Sequence, residues 1–172
     1  MNKMQEQVLE FHHTYGAEIG DTVRELPAER VELRIGLIEE EFVKELIPAL
    51  RSGDLVESVD AAIDILYVTF GLLVEMGVDA EPIFDEVQRS NMSKLGEDGK
   101  PIISRGMELD GFPEGKVLKG PNYFKPDIGA LLARQIASGR DILGDFLIRR
   151  GDFQHEEVYG TLPVSSYLPD GN

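Results

Sequence analysis

The chain has 172 residues, 42% apolar and 28% charged, the profile of one globular domain able to bury a real core. It contains no cysteine, which excludes disulfides, thiolate nucleophiles, zinc fingers and iron–sulfur clusters. A formal charge of −15 argues against a surface for duplex nucleic acid. The uncharged run Ile65–Val74 falls far short of the ~20 residues of a membrane span.

The first segment, MNKMQEQVLEF, has no signal-peptide character, so a soluble cytoplasmic protein is expected. Met4, Val8, Phe11 and Tyr15 keep helical spacing, and Gly16 ends that helix. Residues 16–27, with two glycines and Pro27, read as a connection. A second helix is predicted from Ala28 to Leu50, its apolar face formed by Val31, Ile35, Ile38, Phe42 and Leu46. A third, Leu55 to Met76, is apolar nearly all round after Asp64 and is expected to be the buried centre of the fold. Asp79 caps a fourth helix reaching about Ser93.

Gly96 to Lys125 holds six glycines and three prolines without a period, and a loop of that length is usually functional or disordered. Asp127 caps a helix over 128–137, and a last one is placed near Asp141–Arg149. Nothing alternates like a strand. The expected fold is all-α, a bundle of four to six helices completed by oligomerisation. Residues 1–137 are read as its domain and 138–172 as a C-terminal extension, a candidate oligomer contact.

The string RIGLIEEEFVKEL (34–46) carries Glu39, Glu40, Glu41 and Glu45; Glu41 and Glu45, four apart, stand one turn above each other on one face, with Arg34 two turns before Glu41 on the same side. Taken alone, this run also fits a solvated acidic face. The next helix adds Asp60 and Asp64, four apart in a segment with little room for a polar face. Two acidic pairs on adjacent helices repel by up to ~4 kcal/mol at about 4 Å, taking an effective dielectric of 20. Arg34 or a divalent cation is needed between them, and an all-oxygen ligand set selects Mg²⁺ or Mn²⁺.

RIGLIEEE, followed about twenty residues later by an aspartate directly before ILYVTFG, resembles the MazG-like all-α nucleoside triphosphate pyrophosphohydrolases. These are relatives of phosphoribosyl-ATP pyrophosphohydrolase and of the dimeric all-α dUTPases. The resemblance extends to EFH (10–12), NMSK (91–94) and GKVLK with a following PD (115–127), and is greatest to small single-domain phage members. It implies EExxE on one helix and ExxD on the next. Glu40, Glu41 and Asp64 carry over. Lys44 and Ala61 occupy the two remaining acidic positions, with Glu45 one residue later and Asp60 one residue earlier as replacements.

GKVLKGPNYFK (115–125) holds Lys116, Lys119 and Lys125 and no acid, a local reversal of charge suited to polyphosphate. The same lysines also fit an ordinary solvated loop. Tyr123 and Phe124 are placed to stack on a base or to pack the loop, and Asn91 to bond a nucleoside or cap its helix. The resemblance adds Lys94 as a phosphate contact and Phe11 and His12 as nucleoside contacts, and Arg34 is expected to join the lysines as a phosphate contact. GFPEGKV (111–117) has the wrong spacing for a P-loop, and HEEV (155–158) lacks a zincin's second histidine.

The expected activity is that of a metal-dependent nucleotide diphosphatase. Two or three Mg²⁺ or Mn²⁺ ions on Glu40, Glu41, Glu45, Asp60 and Asp64 would activate water, with Glu40 taking its proton. The resemblance implies attack at the α-phosphorus of a nucleoside triphosphate, giving monophosphate and pyrophosphate. Purine deoxynucleotides such as dGTP or dATP, dUTP and phosphoribosyl-ATP stay open as substrates. A homodimer or homotetramer is expected, in the host cytoplasm if the chain is phage-encoded. A non-enzymatic acidic helical interaction protein is the reading of another class.

Overall fold

Asn2 starts α1 (Lys3–Tyr15) by accepting the Gln5 N–H, and Gly16 ends it in the left-handed conformation. The computed structural model describes residues 1–151. The next rod, α2, has three consecutive segments: α-helical Ala28–Glu39, a π turn over Glu40–Leu46, and α-helical Ile47–Ser52. Asp54 caps α3 (Leu55–Glu75) and Asp79 caps α4 (Ala80–Met92). After the single-turn α5 (Met107–Asp110), Asp127 caps α6 (Ile128–Ser138) and Asp141 caps α7 (Ile142–Arg150). The all-α fold class is found. Among the described residues the one extended pairing is an isolated antiparallel bridge between Ile103 and Val117.

Helix α3 is the axis, packed on α1 and on the π segment of α2. Val8 and Leu9 of α1, Val74 of α3, and Ile142, Phe146 and Leu147 of α7 form the core. Helix α7 therefore contributes to the core although it lies in the stretch read as an extension; residues 152–172, with the HEEV string, lie outside the described part. Two buried amides hold the α3–α4 corner. Gln5 donates to Val78 O and accepts the Ala80 N–H, while Gln135 accepts the Asp79 N–H and donates to its carbonyl. The chain turns by 119° there, and no single helix is long and apolar enough to cross a membrane.

Three expectations need correction. In α1 the stripe Met4, Phe11 and Tyr15 is exposed, and the inner face is Gln5, Val8, Leu9 and His12. Gln5 and His12 sit inside because each finds hydrogen-bond partners there, which apolar periodicity cannot register. Helix α3 is buried on one side only: Leu55, Val59, Ile63 and Leu66, at i, i+4, i+8 and i+11, form an exposed stripe. The segment 96–125 is also organised. Ser104 donates to Asp110 Oδ1, the Asp110 carboxylate accepts the Arg105 and Phe112 N–H groups, and Leu118 N–H bonds to Ile102 O.

Candidate active site

Within α2 the hydrogen-bond step lengthens over the acidic residues. The Ile47 N–H reaches Phe42 O, five residues back, where an α-helix would reach four. Glu40, Glu41 and Glu45 all lie in this π turn. Glu41 is half-buried, and its Oε2 is enclosed without a hydrogen-bond partner. Burial, and then the charges of Glu45, Asp64, Glu40 and Asp60 in that order, push the Glu41 carboxyl above its ordinary range. The five carboxylates proposed from sequence therefore share one electrostatic field. Asp64 is half-buried, while Glu40, Glu45 and Asp60 are exposed. Ala61, where the resemblance expects a glutamate, is 1% exposed. Among the described residues no three carboxylates or histidines come together in metal-holding geometry.

Arg34 and His12 occupy a different place. Arg34 is buried and donates to Glu75 Oε1 at 2.8 Å, and Arg30 donates to the same carboxylate. Glu75, fully buried at the end of α3, was not singled out by any spacing in the sequence. Burial alone would raise its pKa; the two guanidinium groups outweigh that and hold it below the ordinary value. The His12 ring places Nδ1 2.7 Å from Glu18 O, so Nδ1–H donates there, and Nε2 faces Arg34 Nη2 at 3.3 Å as acceptor. Burial lowers the His12 pKa; the Glu18 carbonyl opposes this and the Arg34 charge adds to it. Gly71 makes room for the pair, since a Cβ there would lie 2.6 Å from Arg34 Nη1 and 3.1 Å from His12 Nε2.

Phe11 joins an aromatic group that the sequence did not reveal. Its ring centroid is 4.5 Å from Tyr15 and 5.8 Å from Tyr67. Tyr67 follows Asp64 by three residues on α3, about one turn away. The rings thus stand beside the acidic cluster, and Phe11 and Tyr67 remain partly open to solvent.

The glycine-rich segment is tied to the end of α4. The Gly120 N–H bonds to Lys94 O, the Phe124 N–H to Ser93 Oγ, and Ser90 Oγ donates to Phe124 O. Gly120 is required at this contact, because a Cβ would fall 2.0 Å from Leu95 O. Lys94 donates to Asn91 Oδ1. Lys116 lies over Phe112, Lys119 over Tyr123, and Arg89 over Phe124, while Lys125 is exposed. Among the described residues no hydrogen bond or ion pair joins these lysines to the five carboxylates, so the two sets remain separate within the chain.

The phosphoribosyl-ATP pyrophosphohydrolase family model matches residues 8–91, from within α1 to the last residue but one of α4, with all five carboxylates, Asn91 and the aromatic group. No curated protein matches. Among solved structures, a candidate NTP pyrophosphohydrolase from Exiguobacterium sp. 255-15 is 24% identical. The match covers 80% of this chain and 95% of that one with a TM-score of 0.39, a likeness too loose to place site residues.

Proposed function

We propose, from the premise that this chain is a MazG-like all-α nucleotide pyrophosphohydrolase, that it is a metal-dependent diphosphatase of nucleoside triphosphates. The observation that carries the metal reading is the enclosed, unpartnered Glu41 Oε2 amid the charges of Glu40, Glu45, Asp60 and Asp64. An all-oxygen donor set of this charge fits Mg²⁺ or Mn²⁺, two or three ions, held by those five side chains. When bound, such ions neutralise triphosphate charge and lower the pKa of water.

The remaining work belongs to the chain. Glu40, exposed at the start of the π turn, takes the proton from the attacking water. Lys94, Lys116, Lys119 and Lys125 hold the phosphates, their charges free of any carboxylate in the described chain. Phe11 and Tyr67 offer a stacking platform for the base. Arg34 and His12 act indirectly, by fixing α1, α2 and α3 against one another through Glu75. Attack falls on the α-phosphorus, leaving a monophosphate and pyrophosphate. Purine deoxynucleotides such as dGTP or dATP are the first substrates to test; the family match favours phosphoribosyl-ATP as the second, with dUTP as a third.

A second copy covers the exposed α3 stripe, where Leu55, Val56, Val59, Asp60 and Ile63 line an open groove of about 440 Å³. Exposed apolar patches of this kind mark interfaces. Asp60 lies in the groove wall, so the homodimer or homotetramer encloses the metal site as it forms. The enzyme is placed in the cytoplasm, the host's where the gene is a phage's.

The test compares the parent with Asp64→Asn in EDTA and in Mn²⁺. The parent gains about 2.7 kcal/mol at a hundredfold excess of metal over Kd. Asp64→Asn melts at or above the parent in EDTA, gains much less from metal and hydrolyses nothing. Equal metal-induced shifts refute the ligand set. With ¹⁸O-water the label enters the monophosphate, and orthophosphate as first product refutes α-attack.

A further inference from the structure

The paired glutamates of α2 and its third acid are separated by one residue too many. An α-helix turns about 100° per residue. Continued as α through this region, it would place Lys44 about 40° round from Glu40, between the two glutamates, and Glu45 about 140° round from Glu40, some 40° beyond Glu41. The position between Glu40 and Glu41 would then present an ammonium, with the third carboxylate at the outer edge beyond Glu41. Helix α2 does not continue as α. Over Glu40–Leu46 it forms a π turn, in which each turn takes in one more residue. In that geometry the residue five positions on occupies the place that the residue four positions on has in an α-helix.

We infer that the π turn is a register device: it brings Glu45 from the edge beyond Glu41 to the position between Glu40 and Glu41, so that these three act as one carboxylate set and Lys44 is turned aside. The inference rests on the metal-dependent reading above. Three features of the chain fit it. The Phe42 carbonyl receives its bond from the fifth residue on, Ile47, which places the longer step inside the acidic string. Lys44 makes no ion pair with its glutamate neighbours, although all are within one turn of it and largely exposed. On α3, the helix packed against the π segment, the acid is displaced as well. Ala61 is buried where a glutamate would lose its water, and Asp60 next to it is exposed. A single inserted residue is an ordinary origin for a π turn, and such turns are frequent at functional sites.

The experiment measures Mn²⁺ uptake by the free-ion EPR signal, without nucleotide, alongside far-UV CD. Glu45→Gln should bind Mn²⁺ about tenfold more weakly, since charge count sets affinity in such sites. Deleting Val43 turns EEFVKE into EEFKE and lets the helix run as α with its third glutamate in phase. That variant should keep the parent's helicity and Mn²⁺ affinity. Adding Lys44→Glu to Glu45→Gln is the control that folds in either case, both positions being exposed. It should recover no binding, because position 44 is off the face. Recovery by that double variant, parent-like binding by Glu45→Gln, or a folded Val43 deletion that loses Mn²⁺ would each overturn the inference. Asp64→Asn separates the levels. If it loses Mn²⁺ while Glu45→Gln does not, the register claim falls and the metal reading stands; if the parent takes up no Mn²⁺, both fall.

Discussion

Removing the Glu75 carboxylate should unfold the helical core at a much lower temperature, and the size of the effect follows from what is left behind. Glu75 is fully buried and accepts from Arg34 and Arg30. In Glu75→Ala, Arg30 can recover water because its side chain is 29% exposed, but Arg34, at 7%, cannot. Its Nε already has no partner, and its remaining neighbour is the His12 ring. Breaking a buried pair in this way costs about 3–5 kcal/mol. For a chain of this length that is a fall in Tm of roughly 6–20 °C. Thermal and urea melts followed by far-UV CD in EDTA measure it without interference from metal. The cost belongs to the stranded charge, so Arg34→Met in the same chain should restore most of it, an apolar replacement of a buried pair being near neutral. A loss within about 0.5 kcal/mol for Glu75→Ala, the scale of an ordinary surface change, refutes the argument. So does a double variant less stable than the single.

Two further predictions follow from the same geometry. His12 is held neutral, so below its ordinary pKa of 6.5 the unfolded chain gains a proton that the folded chain refuses until a lower pH. Urea midpoints should therefore fall between pH 7.5 and 5.5, and His12→Gln should flatten that slope; Glu75, whose pKa is lowered from 4.5, adds a second loss only further down, as pH drops through its folded value. The exposed stripe of α3 predicts that Val59→Glu lowers the molar mass in light scattering to that of one chain while leaving the helical CD signal unchanged, and an unaltered assembly would place the interface elsewhere.

Helix ends were legible in the sequence because their signals are local. Asp79 and Asp127, read as caps, each accept an N–H in the first turn of the helix that follows, and Gly16 and Gly139 stop helices in the left-handed conformation; Asp54 and Asp141 cap in the same way without having been singled out. The carboxylates became candidates for a related reason: an aspartate at position 64 of an apolar helix needs an explanation within its own segment. Partnerships across the fold were not. Gln5 pairs with backbone 73 residues away, and Glu75 with Arg34 at a separation of 41, and no periodicity encodes either. The exposed stripe of α3 was misread because an apolar residue scores alike against its own core and against a second chain. The order within 96–125 was hidden because Asp110 organises it by accepting N–H groups and a hydroxyl, a pattern without a period. The π turn left one trace, the extra residue before Glu45.

Of the two neutralisers that the acidic pairs could have used, the fold has already assigned one. Arg34 stands on the face of α2 that suggested it as a counter-ion, but its guanidinium is bound to Glu75 and closed in by His12 and Gly71. Arg30, one turn earlier, is bound to the same carboxylate. Turning Arg34 toward Glu41 would strand Glu75, an uncompensated buried charge, at about the cost given above for breaking that pair. No comparable penalty attaches to a cation arriving from solvent, since Glu40, Glu45 and Asp60 are exposed. Burial and the four neighbouring carboxylates raise the pKa of Glu41, so protonation is easiest at the carboxylate whose oxygen is most enclosed. Under the proposed function a proton and a divalent ion would compete for the same oxygen, and acidification would weaken metal binding for a reason separate from the loss of fold stability through His12 and Glu75.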